Sequence, residues 1–391
     1  MIAEIQRVCF VGAGNMGCFN AIKAAISGYS VTLYDVDAES LQQALPRCEG
    51  FAAFLAGSGY CAAEDIPAAL ARIAVVADLQ QATADADLVS ESVFERLDIK
   101  RDVHQLLDKT CPAKAIVTTN SSYLLLSEIE DVVQHGERFA AMHSYMGSPL
   151  VDIVGGTRAT AQTVAILKRY VLSINAVPLV LKKEHHGYVL NAILGPVMAT
   201  AMYLVADGIG SVEDVDRAWM ANRAAPMGPM GILDVIGLNL VCDSWLHRED
   251  EGPIPGLRPR VLTLLQPMVE RHDLGISTGN GFYHYPDPAY QRAGFIDAGT
   301  ELTDLYQALL MALVASAVLV AAADVADPAD IDKAWKVGMS LDKGPFEILQ
   351  GIGSAAFLQQ FEQHVAADRF NPQNAQIVMQ YFDNIEQGDL L

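Results

Sequence analysis

The chain has 391 residues, 51% of them hydrophobic and 19% charged, a composition typical of a globular protein with two or three domains. Its formal net charge of −21 argues against a nucleic-acid partner, because binding to a phosphate backbone requires clustered lysine and arginine. The six cysteines have no C-x-x-C pairing and no secretory signal pattern opens the chain, so we expect reduced thiols, a cytoplasmic location and no metal site.

The first predicted element is a strand over residues 7–11 that runs into Gly12-x-Gly14-x-x-Gly17 and a helix over 16–27. In this context Gly12 permits a tight turn, Gly14 lets the backbone approach a pyrophosphate, and Gly17 lets the helix pack on the strand. The pyrophosphate would meet free N–H groups at the helix start. A glycine-rich turn without a ligand is the alternative, and FAD-binding proteins share the same pattern.

Asp35 ends the next predicted strand and selects the cofactor. Its carboxylate can accept hydrogen bonds from both hydroxyls of an adenosine ribose and would repel a 2′-phosphate. The sequence therefore predicts NAD rather than NADP.

Short apolar runs alternate with amphipathic stretches as far as about residue 180. Strands are predicted at 7–11, 30–34, 73–76, 88–91, 115–118, 139–143 and 177–181, with helices at 16–27, 38–56 and 98–107. This alternation predicts a mainly parallel, doubly wound α/β domain over residues 1–183.

The rest of the chain contains an internal repeat. The segments DVDRAWMANRAAPMGPMGILDVIG (214–237) and DIDKAWKVGMSLDKGPFEILQGIG (330–353) match at a constant offset of 116 residues. Such self-similarity predicts two copies of an all-α domain, over 184–290 and 291–391. The most apolar stretch, 308–323, is predicted to be a buried helix of about sixteen residues, too short to cross a membrane.

Several further segments carry a family resemblance across essentially the whole chain. They are ESVFERLDIKRDV (91–103), TTNSSYLLLSEI (118–129), GYVLNAILGPV (187–197), APMGPMGILDVIGL (225–238) and STGNGFYHYPDP (277–288). In this order they resemble the 3-hydroxyacyl-CoA dehydrogenase family. The resemblance implies a Rossmann-type domain followed by helical domains of the 6-phosphogluconate dehydrogenase C-terminal type. Some members carry a tandem C-terminal unit whose second copy replaces a partner subunit, so a monomer or a homodimer is expected.

The resemblance also implies roles for individual residues. Ser122 matches a hydroxyl that binds the 3-oxygen of the substrate, and His143 matches the catalytic histidine. Asn191 matches a side chain near the same oxygen. It lies in the first helical copy, which is expected to carry the substrate cleft. The expected cofactor-binding residues are Gly12, Gly14, Asn15, Met16, Gly17, Asp35, Glu95, Lys100 and Asn120, of which Glu95 and Lys100 match positions near the nicotinamide ribose. The implied reaction is NAD-dependent oxidation of a 3-hydroxyacyl-CoA, as in fatty acid metabolism.

The chemistry of alcohol oxidation agrees with this assignment. A histidine is suited to remove a hydroxyl proton near neutral pH, and it needs a carboxylate to fix its tautomer. Asp152 is the nearest downstream candidate, although the family has a glutamate twelve residues after its histidine and Asp152 lies nine residues after His143. Purely structural roles are the alternatives: a buried histidine, a structural aspartate, Ser122 as a helix N-cap, and Asn191 as a buried amide.

A second departure from the family concerns the CoA moiety. Residues 38–99 contain no lysine and few arginines where the family has a lysine-rich helical hairpin. CoA carries phosphates that are usually bound by basic side chains, which here could be Lys182 and Lys183. A small hydroxy acid or alcohol without CoA is therefore an alternative substrate, and a catalytically silent NAD-binding protein is a third hypothesis.

Overall fold

The computed structural model describes residues 1, 3–248, 252–297 and 302–386. The chain forms two compact units, Met1–Tyr188 and Val189–Leu391. The first unit extends slightly beyond the predicted boundary at residue 183 because Tyr188 belongs to it. The Tyr188 hydroxyl donates a 2.8 Å hydrogen bond to the main-chain oxygen of Ser121.

The first unit is built on one eight-stranded sheet. Its strands are β1 (Arg7–Val11), β2 (Ser30–Tyr34), β3 (Ile73–Val76), β4 (Leu88–Glu91), β5 (Ile116–Thr119), β6 (Phe139–Ser144), β7 (Leu150–Gly155) and β8 (Val177–Val180). They lie in the order β3-β2-β1-β4-β5-β6-β7-β8. All neighbouring pairs are parallel except β6 and β7, which are antiparallel. The predicted doubly wound, mainly parallel sheet is confirmed.

Helices cover both faces of this sheet. They are α1 (Asn15–Ile26), α2 (Ala38–Gly57), α3 (Ile66–Leu70), α4 (Leu79–Thr83), α5 (Leu97–Thr110) and α6 (Ala161–Ser173), with short 3₁₀ helices at Ala63–Asp65, Leu126–Glu128, Glu130–Val132 and Gly136–Arg138. Successive residues of β1 alternate between two buried clusters, Val8 and Phe10 in one and Cys9 and Val11 in the other. A strand buried on both faces is apolar throughout, which is why these strands are recognisable in the sequence.

One strand was not predicted. Leu150–Gly155 forms β7, whereas the sequence interpretation treated the segment after His143 as a loop that carries Asp152. A tight turn over 145–149, with Gly147 at a φ of +79°, folds the chain back on β6. Antiparallel pairing then places His143 directly opposite Asp152.

The second unit is built from helices, and its described residues contain isolated β-bridges near residue 280 but no β-strand. Its helices are α7 (Leu190–Ala206), α8 (Val212–Arg223), α9 (Pro229–Ile236), α10 (Leu238–Leu246), α11 (Leu257–Glu270), α12 (Thr303–Ala322), α13 (Pro328–Met339), α14 (Pro345–Ile352), α15 (Ser354–Ala366) and α16 (Pro372–Glu386), with 3₁₀ helices at Ile276–Thr278 and Ala289–Gln291. An equivalent aspartate makes the same helix-start contacts in each repeat. The Asp216 carboxylate accepts hydrogen bonds from the main-chain N–H groups of Met230 and Gly231 at the start of α9. The Asp332 carboxylate does the same for Phe346 and Glu347 at the start of α14.

Equivalent parts of the two repeats pack against each other. Helix α7 lies along α12, and the Trp219 ring meets the Trp335 ring edge-on at 6.3 Å between centroids. Contact between equivalent surfaces is the geometry of a twofold dimer interface. The two repeats of this unit thus meet through equivalent surfaces, while the replacement of a partner subunit by the second repeat and the oligomeric state both stay predictions.

Helix α12 is longer than the sixteen residues predicted. It has 20 residues and a mean hydropathy of 2.2, so it is long and apolar enough to span a membrane. However, 72% of its most apolar stretch is buried within the protein. Helices α9 and α10 would together reach a similar length, but they meet at an angle of 91°. The burial of α12 agrees with the predicted core helix.

Candidate active site

The glycine-rich loop begins where β1 ends, at the carboxyl edge of the sheet. Gly12 has a φ of +106°, and a Cβ atom there would lie 2.5 Å from the main-chain oxygen of Ser92. A Cβ atom on Gly17 would lie 1.8 Å from the main-chain oxygen of Gly12. By contrast, a Cβ atom on Gly14 would meet no atom of the described residues within 4 Å. The fold itself thus requires Gly12 and Gly17, whereas Gly14 leaves open space for a ligand.

The start of α1 fits an anionic group. Gly14 is the N-cap, and among the described residues no side chain caps the first N–H groups of the helix. These N–H groups, which belong to Asn15, Met16 and Gly17, carry the positive end of the helix dipole. An uncapped helix beside a bare glycine is the arrangement that binds the pyrophosphate of a dinucleotide.

Asp35 follows β2 and fixes the same loop. Its Oδ2 atom accepts a 2.7 Å hydrogen bond from the N–H of Ala13, and its Oδ1 atom accepts a 3.0 Å hydrogen bond from the N–H of Asp37. The half-buried carboxylate keeps lone pairs on both oxygens, so it can still accept hydrogen bonds from ribose hydroxyls. Sequence reasoning missed Arg47, whose guanidinium donates to the main-chain oxygen of Ala13 from α2.

A buried ionic cluster underlies the end of β4. The Glu91 carboxylate accepts hydrogen bonds from the Lys100 ammonium at 2.7 Å and from the Thr119 hydroxyl at 2.7 Å, and it lies 3.2 Å from His104 Nε2. Burial alone would raise the pKa of Glu91, but the His104 hydrogen bond and the Lys100 charge lower it to about 2. Glu91 therefore stays ionised and ties β4, β5 and α5 together.

This lowered pKa makes a testable prediction about acid stability. Relative to an ordinary value of 4.5, a pKa of about 2 corresponds to about 3 kcal/mol of folding free energy. The contribution is complete above the unfolded-state pKa and is lost as pH falls from about 4.5 towards 2. Glu91→Gln should therefore be less stable than the wild type at pH 7, and the difference should shrink as pH falls. Urea unfolding across this pH range measures the difference in unfolding free energy, and Glu39→Gln at an exposed position is the control. A difference between Glu91→Gln and the wild type that does not change with pH would contradict the prediction.

Glu95 connects the cluster to the loop that follows β5. Its Oε1 atom accepts hydrogen bonds from the Ser121 hydroxyl at 2.5 Å and from the N–H of Tyr123 at 2.9 Å. Lys100 lies 3.4 Å from Glu95 Oε2 and is only 1% exposed, so its ammonium sits between Glu91 and Glu95. Lys100 thus pairs with both carboxylates, and the assignments of Glu95 and Lys100 near the ribose stay predictions.

Asn120 joins the ends of β5 and β6. Its side-chain oxygen accepts a 2.8 Å hydrogen bond from the N–H of Ser144 and a 3.1 Å hydrogen bond from the Ser144 hydroxyl. Ser144 also bonds with Asn20 on α1. Asn120 therefore fixes the end of the strand that carries His143 relative to the glycine-rich loop.

Three predicted catalytic residues form a row at the same edge of the sheet. His143 Nδ1 lies 3.3 Å from Asp152 Oδ2, and His143 Nε2 lies 3.1 Å from the Ser122 hydroxyl. His143 is 2% exposed and Asp152 is fully buried, whereas Ser122 is exposed. With Nδ1–H donating to the carboxylate, Nε2 presents its lone pair towards Ser122. The shortened segment after His143 therefore does not separate the histidine from its acid.

Two tyrosines that the sequence analysis missed enclose the imidazole. The Tyr188 ring stacks on His143 at 4.8 Å with an interplanar angle of 17°, and the Tyr145 ring meets it edge-on at 4.4 Å. The Tyr145 hydroxyl also donates a 2.5 Å hydrogen bond to Asp152 Oδ2. Burial raises the pKa of Tyr188, so its hydroxyl remains a donor to Ser121. Tyr145 lies in the turn after β6, two residues from His143 in the sequence, and this proximity was the available signal.

The structure speaks against one of the two roles considered for Ser122, while its role in binding the substrate stays a prediction. Ser121, not Ser122, caps the turn that follows, because the Ser121 hydroxyl accepts a hydrogen bond from the N–H of Leu124 at 2.9 Å. The alternative of Ser122 as a helix N-cap is therefore wrong. Asn191 lies in the first turn of α7 in the helical unit, and its role near the substrate stays a prediction.

The arginines of residues 38–99 are all engaged within the protein. Arg47 binds Ala13, Arg72 donates to the main-chain oxygens of Ala25 and Ala68, and Arg96 pairs with Asp98. The segment contains no lysine, so these three arginines are all of its lysine and arginine side chains.

Family models match almost the whole chain. The model for the 3-hydroxyacyl-CoA dehydrogenase NAD-binding domain matches residues 7–185, and the model for the C-terminal domain of the same family matches residues 187–285 and again 305–389. The second match falls on the second repeat.

Individual proteins agree with the family models. The chain is 31% identical to a 3-hydroxybutyryl-CoA dehydrogenase of Bradyrhizobium diazoefficiens, over 73% of this chain and 97% of that protein. It is 34% identical to a diketoreductase of known structure described as acting on dicarbonyl compounds, with a TM-score of 0.67 over 73% of this chain and 100% of the other. The fold of 3-hydroxybutyryl-CoA dehydrogenase from Escherichia coli matches 96% of this chain and 99% of that one with a TM-score of 0.76 at 21% identity.

Proposed function

Because the chain belongs to the 3-hydroxyacyl-CoA dehydrogenase family and is an NAD-dependent oxidoreductase acting on a CH–OH group, we propose that it interconverts a 3-hydroxyacyl-CoA and the 3-oxoacyl-CoA. The observation that supports this proposal is the row formed by Ser122, His143 and Asp152. A base, its orienting acid and an exposed hydroxyl lie together at the sheet edge that also carries the glycine-rich loop.

The proton transfer follows from this geometry. The exposed Ser122 hydroxyl holds the substrate oxygen beside the Nε2 atom of His143. Nε2 accepts the hydroxyl proton, and the buried Asp152 carboxylate stabilises the imidazolium that forms. In the reverse direction His143 returns the proton to the oxygen of the ketone.

The cofactor has a fitting site in the same unit. NAD, when bound, supplies the acceptor for the hydride that leaves the substrate carbon. The uncapped start of α1 would bind its pyrophosphate and Asp35 its adenosine ribose, with Gly14 leaving the necessary space. Glu95, held by Ser121 and Tyr123, would lie near the second ribose.

A second candidate is the same reaction on a small hydroxy acid or dicarbonyl compound without CoA. The observation that favours it is the scarcity of basic side chains in residues 38–99, which contain no lysine and three arginines, Arg47, Arg72 and Arg96, that already bond within the protein. The 34% identity to a diketoreductase supports the same alternative.

Reduction assays separate these two candidates. NADH oxidation is followed at 340 nm with acetoacetyl-CoA and, separately, with acetoacetate and a panel of small diketones. We expect kcat/KM to be highest with acetoacetyl-CoA, because the thioester substrate supplies more contacts that are retained in the transition state. If acetoacetate or a diketone is reduced and acetoacetyl-CoA is not, the small substrate without CoA becomes the supported candidate. Activity with neither class would contradict both.

A further inference from the structure

The acid of the catalytic row is bound more closely by a tyrosine than by the histidine it serves. Asp152 Oδ2 lies 2.5 Å from the Tyr145 hydroxyl and 3.3 Å from His143 Nδ1. Charge-assisted hydrogen bonds between nitrogen and carboxylate usually span about 2.7–2.9 Å, so the histidine contact is long and the tyrosine contact is short. The tyrosine, rather than the histidine, therefore fixes the position of this carboxylate.

Tyr145 also fixes the imidazole. Its ring meets the His143 ring edge-on at an interplanar angle of 82°. Tyr188 stacks on the same imidazole. The titratable groups in contact with His143 are thus Asp152 on β7, Tyr145 after β6 and Tyr188 at the end of the unit. Tyr145 thus contacts both the base and its acid.

The surroundings of Asp152 explain why the hydroxyl matters. The side chain is fully buried, and among the described residues its Oδ1 atom has no hydrogen-bond partner. A buried carboxylate with few donors is costly to keep ionised, so each donor on Oδ2 contributes strongly. The Tyr145 hydroxyl supplies one of these two donors.

We propose that Tyr145 is a positioning residue of the reaction, which holds the short Asp152 side chain in line with His143 and moderates its charge. This inference rests on the proposed role of His143 as the base. The donated hydroxyl reduces the negative potential that Asp152 exerts on the imidazole. Loss of this donor would leave the full charge of the carboxylate facing the imidazole.

Tyr145→Phe tests the proposal. We expect kcat for alcohol oxidation to fall about tenfold, the size of one lost hydrogen bond to a charged group. The acid limb of the kcat/KM profile should move to higher pH, because the unscreened carboxylate stabilises the protonated imidazole. The KM for NAD should stay unchanged. The matched control is Tyr29→Phe, which removes a hydroxyl that lies 2.5 Å from the Ser173 hydroxyl at the end of α6. This control variant should leave the acid limb in place.

A substrate-independent measurement separates this proposal from the proposed function. In enzyme with ¹³C-labelled histidine, the imidazole signal of His143, assigned with His143→Asn, should titrate at higher pH in Tyr145→Phe than in the wild type. Incorporation of 3-fluorotyrosine at position 145 makes the phenol a stronger donor and should shift the same titration to lower pH, without loss of the side chain. Shifts in these opposite directions support the proposal even if neither tested substrate is turned over. An unchanged titration in both variants, or a lower kcat with no shift of the acid limb, would overturn it.

Discussion

Replacing His143 with alanine should lower kcat by at least about a hundredfold, whichever carbonyl substrate the protein accepts. The variant loses the Nε2 atom that lies 3.1 Å from the Ser122 hydroxyl, and with it the acceptor for the substrate proton. Asp152 cannot take over, because it is fully buried on the far side of the imidazole. Single-turnover reduction with NADH, monitored at 340 nm, isolates the chemical step from product release.

Two further measurements make this experiment specific. NADH affinity, measured by calorimetry, should be unchanged, because the glycine-rich loop and Asp35 do not depend on the imidazole. His135→Ala is the matched control, since His135 is an exposed histidine whose ion-pair partner is Glu137. A His143→Ala enzyme with the wild-type rate would remove His143 from the mechanism and leave the dinucleotide site intact.

The parts of the first unit that follow from local sequence were predicted closely. Strands β1 and β2 were predicted with the bounds that the structure has, and β5 was displaced by one residue. Strands buried on both faces are short apolar runs, so their signal is contained in a few adjacent residues. The glycine-rich loop was predictable for the same reason, because strand, turn and helix are contiguous.

The features that were missed depend on contacts between distant segments. Strand β7 follows a five-residue turn and contains the buried Asp152. A charged residue within so short an apolar segment is not typical of a buried strand, so the sequence pattern did not predict one. Arg47 reaches the Ala13 carbonyl from α2, 34 positions along the chain, and no local pattern marks that contact. Tyr188 lies still further from His143 in sequence, and its φ of +54° is rare for a tyrosine.

The departure from the family pattern at Asp152 shows how such contacts change an interpretation. Judged from the sequence, an aspartate has a shorter side chain than the family's glutamate, and nine residues after His143 is a shorter spacing than the family's twelve. Antiparallel pairing removes the difficulty, because register rather than spacing decides which side chains face each other. Tyr145 supplies a second donor to the same oxygen. The side chain that makes the shorter acid usable was therefore adjacent to the departure in sequence, but its role is apparent only in the fold.

Gly17→Ala should abolish high-affinity NADH binding, and this is the largest effect expected in the cofactor site. The added methyl carbon would lie 1.8 Å from the main-chain oxygen of Gly12. No flexible side chain can move aside to relieve this contact, so α1 must shift away from the end of β1 and displace the N–H groups that would bind the pyrophosphate. Overpacking of this kind costs about 1–3 kcal/mol or more, so the dissociation constant should rise at least about tenfold and the melting temperature should fall.

The matched control for Gly17→Ala is Gly50→Ala. Gly50 also lies within a helix, α2, but a Cβ atom there meets nothing within 4 Å. Because alanine is the better helix former by about 1 kcal/mol, this variant should bind NADH normally and unfold at a slightly higher temperature. Calorimetric titration with NADH measures the dissociation constants of both variants. If Gly17→Ala binds NADH as tightly as Gly50→Ala, then the contact between α1 and the end of β1 does not set the geometry of the dinucleotide site.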